Sequence, residues 1–406
     1  MKPIKFSPPD ITRKEISEVG KALKSGWITT GPRVKQLEKV VASFCHINNC
    51  VCLNSQTACA EMTLLLLGIG PGDEVIVPAY TYTASCSVIL HVGATPIIID
   101  SQKNSFEMDY DAVEKAITDK TKVIIPVDLG GVMCDYNRIF EIIKNKQQLF
   151  SPKNDIQKAI GRIIVMADTA HALGAQYHGM MAGSIADFSC FSFHAVKNMT
   201  TAEGGAVTWK TISGFDDKEI YHKYQLLSLH GQSKDAFSKT QIGAWEYDVI
   251  GPWYKCNMTD VIAGIGIIQM KRYKSLLKKR QKIVDRYNTK LNSFNIDIYQ
   301  RNRNDRVSSN HIYIVRLLDF SLQQRNEFIK KMGEVEIACN VHYKPLPMFS
   351  GYQKLGFNIK DYPNAFHLYE NEVTLPLHTL LKNKDVERII KSFGKIYNEI
   401  KNEKVE

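Results

Sequence analysis

No apolar run in this 406-residue chain approaches the roughly 20 residues that a helix needs to cross a bilayer. The opening "MKPIKFSPPDITRKE" also lacks the apolar stretch and small-residue cleavage site of a signal peptide. A soluble, cytoplasmic protein without a membrane partner is therefore expected. There is no CxxC pair. Cys50 and Cys52 stand one residue apart and the other cysteines are scattered, so no metal site is expected. Cys59, Cys86 and Cys190 lie in apolar runs, where a free thiol behaves as a small hydrophobe in a reduced core. Internal repeats are absent too, which excludes a solenoid.

Charge of one sign is in modest excess: 52 Lys and Arg against 42 Asp and Glu, a net +10. Much of it lies in "KRYKSLLKKRQK" (Lys271 to Lys282) and near the C-terminus. There Val386, Ile389, Ile390, Phe393, Ile396 and Ile400 recur at helical spacing, which leaves the lysines on the wet face. A solvated helix accounts for this charge. A nucleic-acid-binding regulator, the non-enzyme alternative, would need a clustered patch or a helix-turn-helix, and neither is present.

What is there is an alternation of helical patterns with short β-branched runs. Thr12 and Glu15 form a capping box before Ile16, Val19 and Leu23. Gly26 can end that helix, and Pro32 suits the first turn of the next. The strands "NCVCLNS", "DEVIVP", "TPIIID", "TKVIIPVDL", "RIIVMAD", "DFSCFSF" and "GGAVTW" follow, most separated by helices. Near-continuous apolar strands of this kind predict an α/β fold whose mostly parallel, seven-stranded sheet is covered on both faces. After about residue 262 the pattern changes. A long amphipathic stretch (Val261 to Tyr287), "HIYIVRLL", "QQRNEFIKKMG" and "ACNVHYKP" predict a smaller α+β unit, so the division expected is 1–262 and 263–406. The polar segment Ile143 to Gly161 reads as an insertion without an assigned role.

The stretch Phe188 to Trp209, "FSCFSFHAVKNMTTAEGGAVTW", sets one lysine between two apolar strands. Lys is rarely buried unless paired or chemically engaged. Three nearby features suggest engagement. In "VMADTAHALGA", Asp168 ends a strand, where open α/β sheets bind ligands. In "NSQTACAE", Asn54, Ser55 and Thr57 open a helix whose free amides can cradle a phosphate. Ser192 lies five residues before Lys197, and a Gly-Gly turn follows it. Taken singly, the Asp reads as a turn or cap and the hydroxyls as ordinary helix caps. Together they are one set of parts for pyridoxal 5'-phosphate: an amine for a Schiff base, a carboxylate for the pyridine nitrogen and donors for the phosphate.

These segments, with "SGWITTGPRVKQLEK", "GDEVIVPAYTYTAS", "YKCNMTDVIAGIGIIQMKR" and "VHYKPLPM", resemble the DegT/StrS family of sugar aminotransferases, of the aspartate aminotransferase fold (fold type I), over most of the chain. The resemblance implies that Lys197 carries the cofactor and shuttles the proton, and that Asp168 pairs with the pyridine nitrogen. It also implies that His171 contacts the phenolic oxygen, Tyr82 stacks on the ring, and Ser192, Thr57 and Ala58 hold the phosphate. Lys255 would reach the phosphate from the neighbouring subunit of a homodimer. Trp27, Thr29, Thr30, His342 and Tyr343 would meet the substrate, and His194 is structural or substrate-adjacent.

The chain departs from the family pattern at Gln56, which stands where Gly or Ala is usual and is itself placed at the cofactor, and at Cys256, Pro347 and Ala202. The implied reaction moves an amino group from an amino acid, with glutamate expected, to a nucleotide-linked keto sugar. C4 of a 4-keto-6-deoxyhexose is the expected position. The alternatives are amination at C3 and a sugar dehydratase of the same fold, in which His commonly replaces the Schiff-base lysine.

Overall fold

The computed structural model describes residues 2–233, 246–299 and 304–402. Seven strands form the main sheet: β1 (Asn49–Leu53), β2 (Glu74–Pro78), β3 (Thr95–Ile99), β4 (Thr121–Ile124), β5 (Ile164–Asp168), β8 (Phe188–Ser192) and β9 (Gly205–Trp209). Between them, β6 (Gln176–Tyr177) and β7 (Met180–Met181) form a short hairpin beside the sheet. The spatial order is β1-β9-β8-β5-β4-β2-β3, and β9 alone runs against its neighbours. The expected α/β architecture with a mostly parallel sheet is what the chain adopts.

The apolar runs explain the sheet's position. Strands β1, β5 and β9 are buried at every residue, as strands covered on both faces must be. The covering helices are α1 (Arg13–Lys24), α2 (Pro32–Phe44), α3 (Gln56–Leu66), α4 (Ala84–His91), α5 (Tyr110–Ala116), α6 (Tyr136–Asn145), α7 (Asp155–Ile160) and α8 (Asp217–Ser228). The Thr12–Glu15 capping box forms at the start of α1, and Pro32 opens α2. The polar 143–161 segment finds a use here. Asn154 Nδ2 and Gln157 Nε2 each donate to the Leu67 carbonyl at 2.8 Å, which satisfies the C-terminal end of α3.

The 32-residue α9 (Asp260–Leu291) runs without a break through residue 262 and serves two cores. Ala263, Ile267, Met270, Tyr273 and Leu276 pack with α2 and the main sheet. Ile283, Val284, Tyr287 and Leu291 pack in the smaller unit. That unit holds the sheet β10 (Ile296–Ile298), β12 (Tyr313–Leu317) and β13 (Glu372–Leu375), while β11 (Arg306–Val307) joins β6. Its helices are α10 (Leu322–Glu334) and α13 (Asn383–Asn402), while α11 (Ser350–Gln353) and α12 (Pro363–Glu370) pack Tyr352, Ala365 and Leu368 into the core of the main sheet. The apolar face of α13 is buried at Val386, Ile389, Phe393, Ile396 and Ile400, as its spacing predicts. All nine cysteines are free and eight are buried. Among the described residues no helix is long and apolar enough to cross a membrane.

Candidate active site

The carboxyl ends of the parallel strands converge on one cavity of about 900 Å³. Strand β5 delivers Asp168, β8 delivers Ser192, the chain after β2 delivers Tyr82, and the turn after β1 delivers Ser55, Gln56 and Thr57 at the start of α3. Strands β8 and β9 pair antiparallel, with Ser192 opposite Gly205, so residues 193–204 form a hairpin loop at this same edge. Lys197 sits in that loop, where its amide donates to the His194 carbonyl at 2.9 Å. The lysine between two buried strands is thus lifted out of the sheet and into the cavity wall.

Asp168 is buried, and its carboxylate accepts from Ser85 Oγ at 2.6 Å and from the Ala170 amide at 3.1 Å. Burial raises its pKa, which these donors and the Lys197 charge oppose. Burial also pushes the Lys197 amine down to about 8, with Asp168 pulling it back up. His171 is buried and neutral: burial first, then the Lys197 charge, holds its pKa well below the usual range. Its Nδ1 accepts from the Gly130 amide at 3.1 Å, and its Nε2 lies 3.1 Å from the Tyr343 hydroxyl. Tyr82 is 57% exposed, with its ring centroid 5.8 Å from that of Tyr343, so its face is open to the cavity.

At the start of α3, Ser55 is the N-cap and accepts from the Ala58 amide at 3.1 Å. Ala58 is therefore committed and does not line the cavity. The amides of Gln56 and Thr57 precede it at the open end of the helix. Strand β9 presses against this turn. A Cβ at Gly205 would lie 2.5 Å from the Gln56 nitrogen, so only glycine permits the approach.

The chain matches the DegT/DnrJ/EryC1/StrS aminotransferase family over residues 9–394. The chain belongs to that family. It is 36% identical over 391 residues to the spore coat polysaccharide biosynthesis protein SpsC of Bacillus subtilis, covering 95% of each. It is 33% identical over 403 residues to the UDP-4-amino-4-deoxy-L-arabinose–oxoglutarate aminotransferase of Shewanella sediminis, covering 96% of each. The solved PLP form of Spr1654 from Streptococcus pneumoniae, assigned as a sugar aminotransferase, superposes with a TM-score of 0.95 at 51% identity, covering 98% of this chain and 100% of that one. The same protein is also solved in a PMP form. The chain is a transaminase, and its cofactor is pyridoxal 5'-phosphate.

The aminotransferase's own residues fit that cofactor. A buried carboxylate beside an amine of lowered pKa suits a ring that needs a cationic nitrogen at one end and an aldehyde partner at the other. Gln56 Nε2 is a buried donor with no partner among the described residues, next to the two open amides of α3. A phosphate would satisfy all three.

The structure also sorts the remaining expected residues. His342 and Tyr343 line the cavity, as does His194 at its exposed rim, 3.6 Å from Glu203. Trp27, Thr29, Thr30 and Lys255 do not line it within this chain. They cluster elsewhere: Thr30 Oγ1 donates to the Met258 carbonyl and accepts from Asn257, Thr29 O accepts from the Asp260 amide, and Lys255 Nζ donates to Asn257. Sequence reasoning missed Ser85, which holds Asp168 from the first turn of α4, and Asp128, which also lines the cavity while its buried carboxyl accepts from the Cys134 amide and the Tyr136 hydroxyl. The hydroxyl in "TASCSV" beside a strand end was the available signal for Ser85.

Proposed function

We propose that this transaminase moves an amino group from L-glutamate to a nucleotide-linked keto sugar, at C4 of a 4-keto-6-deoxyhexose. The observation that carries the reading is the cavity in which the Lys197 amine and the Asp168 carboxylate meet at the carboxyl edge of the sheet. The sugar is supported by the relatives above, one of which pairs oxoglutarate with a 4-amino sugar on UDP. The lysine at 197 opposes the dehydratase alternative.

The bound cofactor supplies an electron sink for the carbon that loses its proton. Asp168, held by Ser85 and Ala170, offers the negative charge that keeps the ring nitrogen cationic. Lys197 has an amine that is partly neutral near pH 8, so Nζ can take the proton from the donor's α-carbon and would return it two atoms along, on the far side of the donor's nitrogen. Such positioned transfer contributes roughly 10²–10⁴-fold. Neutral His171 holds the Tyr343 hydroxyl at the cavity without adding a cation to it. Tyr82 gives an apolar face, and Ser192 with the α3 amides anchors the phosphate, so the reacting end cannot drift. The exposed Lys255 cluster, with Trp27, Thr29 and Thr30, completes the cavity of a second copy in a homodimer. In support, this chain leaves them outside its own cavity.

The test is a panel of UDP- and dTDP-linked 3-keto and 4-keto hexoses incubated with glutamate and the holoenzyme, read by mass. Amination of the 4-keto-6-deoxy members supports the proposal. Amination of the 3-keto members alone moves it to C3, and loss of a sugar hydroxyl beside the keto carbon as water, with no amine in the product, reinstates the dehydratase. For the homodimer, Lys197→Ala and Lys255→Ala proteins are mixed under exchange. Recovery of activity supports a site shared between copies, and no recovery opposes it.

A further inference from the structure

Two histidines line the cavity, and the groups behind them set opposite tautomers. His171 Nδ1 accepts from the Gly130 amide, so its proton lies on Nε2 and is donated to Tyr343 Oη. The second histidine is backed differently. Thr374 Oγ1 donates to Glu372 Oε1 at 2.6 Å. A hydroxyl has one hydrogen. His342 Nδ1, 3.0 Å from the same oxygen, must then be the donor in that contact. Glu372 Oε2 accepts from the His342 amide at 3.0 Å, so the carboxylate holds the backbone directly and the ring through Thr374. The Phe6 ring stacks on the imidazole, centroids 5.4 Å apart and planes 19° from parallel, which fixes the plane. Burial, aided by the Lys197 charge, pushes His342 down to about 3, so the ring stays neutral. With Nδ1 turned back to Thr374, the other ring nitrogen takes no partner among the described residues, and His342 lines the cavity.

We propose that Glu372 and Thr374 lock His342 in its Nδ1–H tautomer, so that Nε2 faces the cavity as a neutral acceptor and selects the sugar by accepting a hydrogen bond from one of its hydroxyl groups. The selection rests on the sugar reading above; the tautomer does not. An acidic amino donor presents carboxylates, whose lone pairs that nitrogen repels, whereas a sugar presents O–H donors. Tyr343 beside it has the opposite polarity. Its oxygen is already occupied by His171, so its own hydrogen is left to give. Glu372 and Thr374 are positioning residues, buried behind the wall and acting only through His342.

The tautomer is read by nitrogen NMR of holoenzyme labelled with ¹⁵N-histidine, the His342 signals being identified as those lost in His342→Asn. The expected pattern is a protonated Nδ1 and an unprotonated Nε2, lost in Thr374→Val and restored in Thr374→Ser. A proton on Nε2 in the wild-type protein well above pH 7, where Glu372 is ionised, or an unchanged pattern there in Thr374→Val, overturns the lock. The selection is read from the two half-reactions. The Asn side chain keeps a donor at the Nδ1 position but has nothing at Nε2. His342→Asn is therefore expected to raise KM for the aminated member of the keto-sugar panel roughly tenfold or more, as a lost hydroxyl contact does. The glutamate half-reaction, followed by the cofactor's absorbance, should change less than about twofold by the same reasoning. Equal effects on both halves overturn the selection. If the wild-type enzyme aminates no sugar of the panel, the selection falls with the sugar reading, while the nitrogen shifts still decide the tautomer.

Discussion

Ser85 Oγ donates to Asp168 Oδ2 at 2.6 Å, across 83 residues of sequence. The serine sits in the first turn of α4 and is itself 2.8 Å from Thr81 Oγ1, so its hydroxyl is held in place before any ligand arrives. Asp168 needs this help because burial works against its charge. A hydrogen bond to a charged group contributes about 1.5–3 kcal/mol. Ser85→Ala is therefore expected to loosen cofactor binding roughly tenfold or more. Titration of apoprotein with pyridoxal phosphate checks it, and an unchanged Kd would show that Ser85 does not support the carboxylate.

Lys197 makes the second prediction. Its amine titrates near 8, because burial disfavours the ammonium form more than Asp168 favours it. Only the neutral amine attacks an aldehyde. The rate at which apoprotein turns yellow with pyridoxal phosphate should climb about tenfold per pH unit below 8 and level off above it. Lys197→Ala should stay colourless. A rate flat from pH 6 to 9 would sink the assignment of this amine.

These two residues also mark how far a linear reading reaches. Lys197 and Asp168 were legible because strand ends and loops collect chemistry, and the strands beside them are continuous apolar runs. The alternation of strands and helices was equally legible, since burial on both faces leaves its mark on every residue. The antiparallel course of β9 was not, because an apolar strand reads the same in either direction. The long amphipathic stretch Val261 to Tyr287 was legible as one helix, within α9, but not the fact that it serves two cores. Its apolar spacing continues unbroken through residue 262 while the core it faces changes. The groups behind the site were hidden for another reason. Ser85 meets Asp168 across 83 residues, and such contacts leave no local pattern. Trp27, Thr29 and Thr30 stood in a recognisable loop, but this chain folds that loop onto Asn257, Met258 and Asp260.

Glu38 gives a prediction about stability. It is buried in α2, with Oε1 accepting from the Cys52 amide and Oε2 from the Tyr221 hydroxyl, both at 2.9 Å. Burial outweighs these bonds and pushes its pKa up to about 7, from an ordinary 4.5. The folded protein therefore binds more protons than the unfolded chain between these values, and stability falls as pH rises through that window. Glu38→Gln keeps an acceptor for Cys52 and removes the charge. Its expected gain is roughly 1–3 kcal/mol at pH 8 and close to nothing at pH 4.5. Urea melts at the two pH values check this, and an equal effect at both would rule out the charge as the cause.

Glu372 links stability of a carboxyl to the state of the cavity wall. Its neighbours are Thr374 on the same strand, the His342 amide from the adjoining segment, and the cation of Arg325 from α10. Tyr80 and Tyr343 also face it; burial above all raises both phenols, and the Glu372 charge adds to it. Burial raises its pKa to about 7 despite the Thr374, His342 and Arg325 contributions. Above that pH the carboxylate accepts from Thr374, and His342 keeps its proton on Nδ1. Below it, the carboxyl can donate to Thr374 Oγ1, whose hydrogen then turns to His342 Nδ1 and sends the ring proton to Nε2. The imidazole should thus change tautomer with a midpoint near pH 7 while remaining neutral, because its own pKa lies near 3. A ring that simply protonated would show both nitrogens protonated at low pH, whereas the relay keeps one free throughout. Glu372→Gln should abolish the pH dependence of the ¹⁵N shifts. KM for the sugar should rise as pH falls through 7 in the wild-type enzyme and stay flat in the variant, since the cavity acceptor is lost only where the carboxyl is protonated. A wild-type KM that is level across that range, or a variant that still titrates, would separate Glu372 from the site.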